Sequence, residues 1–413
     1  MVIKEKFNNK NPIHRRRKEI LVFTLIVSIF TSTIFIYNYL INSPTYSPDL
    51  PSINISCNED INNDDYVDCI FELDSNRIKA SIKHRGHTVA KYPKKGYRLQ
   101  LSEQISLLGM RKDDDWILFA LYNDHQRMQT KLSLELWRRI DSLDPTAILP
   151  ESEYVKLFLN GEFQGLYLLA EKNDRKLYHL DDAQNNIHSS LIFQAKTWST
   201  LNVYENEAWE QDWPNEDDNL FIMDKVLTDL ITFINSTSNE IFFDPVNGIY
   251  SKFDKLNLID FYIFNFFIDH RDFWSKNYFI VRQTYPNKFF FIPWDFDSSI
   301  GSRYGLFNPH DNQETVIRER NELYNRLLGN EEFKKDCMER WLQLRVKLWS
   351  EEYLLNLIQD FYDEIKEILP LELEMWERET MKRKNLEIDD YISNLLNWMP
   401  DRLAFCDSYF SEV

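Results

Sequence analysis

The sequence predicts an α+β chain with a β-rich N-terminal lobe and a mainly helical C-terminal lobe, preceded by one transmembrane helix. Three observations predict it. Alternating apolar residues and turn signals dominate roughly 66–175. From about 320 the chain is rich in Leu, Trp and charge and reads as helix to its end. Residues 20–41 form a 22-residue run without a charge, and roughly 20 apolar residues span a bilayer.

Within residues 1–18, Lys4, Lys6, Lys10, Arg15, Arg16, Arg17 and Lys18 stand against one acid, Glu5. The positive-inside rule then keeps the tail 1–19 cytosolic and puts the body on the extracytoplasmic or lumenal side. A cleaved signal peptide is the alternative, but the run is long and lacks a small-x-small exit. Residues 42–65, with Pro44, Pro48 and Pro51 among Ser and Asn, read as a linker. The body, 66–413, divides into an N-lobe of about 66–175 and a C-lobe of about 176–413.

Within the N-lobe, Arg77–His84 and Tyr97–Leu101 alternate as strands, and Trp116–Leu121 reads as a buried strand. Asn123 or Asp124 caps a helix over 126–140. VKLFLN (155–160) and LYLLAE (166–171) flank Asn160-Gly161, a hairpin signal. Residues 172–255 are polar and loop-rich, with one helix near 219–235. Leu256–Asp269 is apolar nearly all round, as a buried helix is. A second hairpin follows over 277–295.

Composition removes several chemistries. The 413 residues include only 9 glycines, about 2 % against roughly 7 % in an average protein. None forms G-x-G-x-x-G or a Walker A loop. The eight histidines make no H-E-x-x-H, and G-x-S-x-G is absent. Four cysteines are too few for a disulfide scaffold; Cys57 and Cys69 pair in an oxidising compartment or stay free thiols. Asn54 and Asn235 begin glycosylation sequons, triplets that arise often by chance. Residues 1–18 carry 7 bases and 1 acid, +6; the rest carry 41 bases and 65 acids, −24. So acidic a body is a poor nucleic-acid binder and suits basic partners.

The second hairpin carries the most chemistry. Asn277 and Asp295 each lie nine residues from Pro286, so they are expected to face each other at roughly 5 Å across its open end. Asp297 and Asp272 lie close by in sequence. Magnesium takes one or two carboxylates and completes its shell with phosphates and water. A nearby carboxylate can orient or deprotonate a hydroxyl nucleophile. Single acids at strand ends are ordinary turn caps; four polar groups at one hairpin mouth favour the functional reading. His270, Arg271, Asp272 and Asn277 also spell H-R-D-x-x-x-x-N, the catalytic-loop pattern of protein kinases.

A phosphate-binding element has a candidate in the basic island at 84–95, with Arg85, Lys91, Lys94 and Lys95 beside Gly86. Lys131 and Glu135 share one helical face, as a phosphate contact or as surface ions. Glu171 ends a strand, either at an adenine-binding hinge or as a plain strand-end acid.

Five blocks in order resemble the CotH kinase family of spore-coat-type atypical protein kinases. They are HRGHTVAKYPKKGYRLQL (84–101), LYNDHQRMQTKLSLELW (121–137), VKLFLNGEFQGLYLLAEKND (155–174), DHRDFWSKNYFIVR (269–282) and FFFIPWDFDSSIG (289–301). The resemblance implies an atypical kinase fold of two lobes that transfers phosphate from ATP to serine (or threonine) with Mg²⁺. It implies Asp272 as catalytic carboxylate, Asp295, Asp297 and Asn277 at the metal, and a nucleotide set drawn from Arg85, Lys94, Lys95, Lys131 and Glu171. Basic, Ser-rich protein substrates follow from the same resemblance. The chain departs from the family pattern at Gln129, where an Arg is common and Arg127 is the substitute, and at His87. The competing expectation is a non-catalytic surface or envelope protein, an adhesin or scaffold on the same fold.

Overall fold

A computed structural model describes residues 50–86, 92–124, 126–197, 201–215, 224–271, 273–301, 308–377 and 388–412. The chain divides into two units, Met1–Pro48 and Asp49–Val413, and every described residue belongs to the second.

Period-two alternation builds the N-terminal half. Its strands are β1 (Ser52–Cys57), β2 (Val67–Leu73), β3 (Asn76–Arg85), β4 (Gly96–Ser106), β5 (Lys112–Phe119), β6 (Ser152–Leu159) and β7 (Glu162–Glu171). They close into a barrel in the order β1-β2-β3-β4-β5-β7-β6. Every pairing is antiparallel except β1 with β6, which closes the ring in parallel. Ile53, Phe71, Ile82, Leu99, Leu118, Val155 and Leu169 fill its interior. Burying each such side chain contributes about 1.5–3 kcal/mol. Asn160 and Gly161 both take positive φ, 50° and 82°, as a two-residue type I′ turn requires.

One expectation fails here. The stretch 42–65 was to be a linker, yet it supplies β1. Ile53 and Ile55 alternate inward, and two neighbouring strands satisfy their backbone. Pro51, just before it, already accepts from the Lys156 N–H at 2.8 Å, and Pro44 and Pro48 lie outside the described residues.

The helix after β5 is shorter than expected. Helix α1 spans Gln129–Arg138 and tightens into a 3-10 turn over Arg139–Ser142. Met128 holds its N-cap position without a side-chain bond, and Asp124, not Asn123, supplies the acceptor: its carboxylate accepts from the N–H groups of Met128 (3.1 Å) and Thr130 (3.0 Å). Arg127, at φ 61°, still belongs to the turn.

Residues 172–255 hold more structure than their polarity suggests. Strands β8 (Leu191–Ala195) and β9 (Trp209–Trp213) join β10 (Tyr278–Arg282) and β11 (Phe289–Pro293) in a sheet ordered β11-β10-β8-β9. LIFQA is a short apolar run that becomes a strand because β10 pairs with it. Helix α2 covers Asp224–Ser236.

Helix α3 (Lys255–Phe267) is buried on every side and stacks Phe261 on Phe291 of β11 at 4.6 Å. Among the described residues six further helices close the fold: α4 (Glu314–Arg320), α5 (Glu322–Leu328), α6 (Glu331–Lys347), α7 (Glu351–Ile365), α8 (Leu369–Trp376) and α9 (Ile388–Glu412).

The expected single-pass membrane placement is corrected. Among the described residues no helix is long and apolar enough to cross a membrane. The apolar run 20–41 and the basic tail 1–19 lie outside those residues.

Candidate active site

The second hairpin closes one residue out of the expected register. Tyr278 pairs with Pro293, so Asn277 stands opposite Trp294, not Asp295. The Trp294 N–H donates to the Asn277 carbonyl at 2.9 Å. The turn therefore centres between Tyr285 and Pro286, and a half-step there moves each partner by one. Asn277 sits at the hairpin mouth at φ 61°, half-buried. Its side chain is not among those that line the cleft described next.

Asp295 leaves the strand in the left-handed region, at φ 63° and ψ 69°. This turn is held from behind. His270 is fully buried, and its Nε2 lies 2.9 Å from the Asp295 carbonyl. A carbonyl can only accept, so Nε2 carries the proton in that bond. The other ring nitrogen is 3.1 Å from Oδ1 of Asn265, on α3. The Asp295 side chain is exposed at the cleft.

Two residues on, Oδ2 of Asp297 accepts from Nδ2 of Asn123 at 2.8 Å. Helix α1 grips the same segment. Gln129 donates to the Ser299 carbonyl at 3.1 Å, and the hydroxyls of Ser133 and Ser299 are 3.1 Å apart. The family-pattern position Gln129 thus serves the segment that carries both acids.

The facing wall belongs to the barrel. Arg85 ends β3, its guanidinium 4.4 Å from the Phe119 ring and 5.5 Å from Trp294. Burial lowers its pKa to about 10; Asp295 and Asp297 resist that fall, and Arg98 adds to it. It stays cationic at neutral pH. The rings of Tyr92 and Tyr122 lie tilted against each other at 5.2 Å and line the same cleft. Arg85, Tyr92, Phe119, Tyr122, Asn123, Trp294, Asp295 and Asp297 line one cleft.

Other expected site residues are committed elsewhere. Lys94 is buried; its Nζ donates to Glu372 (2.7 Å) and to the Leu166 carbonyl (2.5 Å), so it is not a free phosphate contact. Lys131 faces a different cavity, where it binds the Ser152 carbonyl (2.8 Å) and Glu153 (3.2 Å) under Phe361. The carboxylate of Glu171 accepts backbone N–H groups of Arg111 (2.9 Å) and Glu151 (3.0 Å), a strand-end role rather than a hinge contact. Lys95 offers its carbonyl to the Tyr167 hydroxyl at 2.9 Å, and its side chain is not among those lining the cleft. Lys91 and Asp272 lie outside the described residues.

Sequence reasoning missed Asn123 as the partner of Asp297, having read it only as a helix cap. It missed Arg98 as well. Lys83 pairs with Arg98 and Arg85 with Gly96, so Arg85 and Arg98 are diagonal neighbours on one face. The alternation of Tyr97–Leu101 already put Arg98 on the outer face, but nothing local said what that face meets.

The donor set fits magnesium. Asp295 and Asp297 offer hard carboxylate oxygens, and a third protein carboxylate is not required when phosphates and water complete the shell. Among the described residues no group of three or more His, Cys, Asp or Glu is placed to hold a metal ion, at this cleft or elsewhere.

The inner spore coat protein H of Bacillus subtilis (strain 168) is 26% identical over 366 residues, 84% of this chain and 93% of that protein. The crystal structure of the Helicobacter pylori proinflammatory kinase CtkA is similar at 11% identity and TM-score 0.33, over 76% of this chain and 94% of that one. The golgi casein kinase is similar at 10% identity and TM-score 0.27, over 88% and 75%. The family described as CotH kinase protein matches residues 82–406. This chain is a member of the CotH kinase family.

Proposed function

We propose that the chain is an ATP- and Mg²⁺-dependent protein kinase that phosphorylates serine or threonine in basic, Ser-rich proteins. The observation that carries the reading is the pair Asp295 and Asp297, anchored by His270 and Asn123 opposite the cation Arg85. Bound between them, Mg²⁺ would neutralise charge developing on the transferred phosphoryl group. Arg85 orients the phosphates from the barrel side. Asp272, two residues past the buried His270, accepts the proton of the substrate hydroxyl. The acidic body draws basic substrates electrostatically. The name of the Bacillus subtilis relative puts that protein in a spore coat and supports a coat-associated place of action for this chain.

The test is transfer of labelled phosphate from ATP to a Ser/Arg-rich peptide by the full chain with Mg²⁺. Asp272→Asn and Asp295→Asn are each expected to reduce it at least about 100-fold. Equal labelling by wild type and both variants would overturn the kinase reading and leave a scaffold on the same fold.

A further inference from the structure

Glu372 lies on α8, and its carboxylate is fully buried against the barrel. Oε1 accepts from Lys94 Nζ at 2.7 Å and from Arg127 Nε at 2.9 Å. Oε2 accepts from the Leu166 N–H at 2.8 Å, while Lys94 also donates to the Leu166 carbonyl. The carboxylate reaches this place because residue 165 is glycine at φ 102°; a Cβ there would collide with Glu372 Oε2. Trp376, one turn on, donates to the Gln164 carbonyl at 2.9 Å and holds the helix to the same strand.

The two cations that meet at Glu372 each adjoin a stretch of cleft wall in the chain. Lys94 lies between Tyr92 and Gly96, both at the cleft. Arg127 follows Asn123, the partner of Asp297, by four residues, and also donates to the Asp124 carbonyl at 2.6 Å. Asp124 in turn supplies the acceptor at the start of α1, which grips the acidic segment.

We infer that Glu372 is a positioning residue for the nucleotide cleft, setting the distance between the Tyr92 wall and the Asn123 wall through Lys94 and Arg127. The inference rests on the kinase reading and extends it to a residue in the C-terminal helices that does not line the cleft. Three directed bonds on one carboxylate fix position as well as charge, and loss of any one frees a wall.

The experiment is MgATP titration of the full chain by calorimetry, with thermal unfolding of the same samples. In folded Glu372→Gln, the dissociation constant is expected to rise roughly tenfold or more, as small misplacements of binding groups do. In a phosphotransfer assay the same variant is expected to raise KM for ATP more than it lowers kcat. Lys94→Met keeps the bonds of Glu372 to Arg127 and Leu166; it is expected to weaken MgATP in the same direction, and it serves if Glu372→Gln does not fold. A folded variant that melts earlier yet binds MgATP as tightly as wild type would show a purely structural role and overturn the inference alone. A wild type that binds no MgATP would overturn the kinase reading and the inference with it.

Discussion

Nε2 of His270 and the main-chain carbonyl of Asp295 stand 2.9 Å apart, with the imidazole fully buried. The bond joins the end of α3 to the residue that leaves the second hairpin in a left-handed turn. A non-glycine residue pays conformational strain in that region, so the contact is what keeps the Asp295 side chain at the cleft.

His270→Ala should therefore lower phosphotransfer more than it lowers stability. The lost bond leaves a carbonyl without its donor, worth about 1–3 kcal/mol of folding stability. The displaced Asp295 should reduce kcat/KM by roughly 10- to 100-fold. Steady-state kinetics beside urea denaturation separates the two effects.

Asn123→Ala removes the 2.8 Å bond that orients Oδ2 of Asp297. The Mg²⁺ concentration for half-maximal activity should rise several-fold, by about 3- to 10-fold, as loss of an outer hydrogen-bond partner costs a metal site. An Mg²⁺ titration of initial rates measures it. An unchanged midpoint would show that Asn123 does not orient Asp297 for metal.

Arg85 and Lys131 were both phosphate candidates, and the structure separates them by cavity. Arg85→Met should raise KM for ATP by about tenfold through loss of a charge-assisted contact. Lys131→Met should leave it within about twofold and act on stability through the lost Ser152 and Glu153 bonds. KM values from the two variants decide the matter.

Asp269, beside His270, is buried, and burial pushes its carboxyl up to about 7, against the pull of Arg402 and Arg271. The folded state then keeps a proton that the unfolded chain, with an ordinary carboxyl near 4, has lost. Stability should fall as pH rises from about 4 to about 7 and level off above that. Asp269→Asn should flatten this slope, since its amide does not titrate. Urea midpoints of both proteins at pH 5 and pH 8 test it.

Much of the fold was legible because its signals are local. Arg77–His84 alternates since one face meets the barrel core; Asn160-Gly161 turns since both residues tolerate positive φ. Strand β8 was hidden because five residues, four of them apolar, in a polar stretch need β10 beside them to become a strand. Asp295 and Asp297 were found from the hairpin, although the register was off by one; the length of a turn does not by itself say where its midpoint falls.

The sequence by itself determined the strand-rich-then-helical order of the two halves, the family and the hairpin that bears the acids, since these rest on periodicity and on motifs within one segment. Only the tertiary structure decided which basic residues serve the cleft. Lys94 and Arg85 lie nine residues apart in one basic island, yet one is bound to Glu372, 278 positions away, and the other faces Asp295 and Asp297. Arg127 meets the same Glu372 across 245 positions. The physical reason is that a charge takes its role from the partner that neutralises it, and that partner is chosen by packing between segments far apart in the chain.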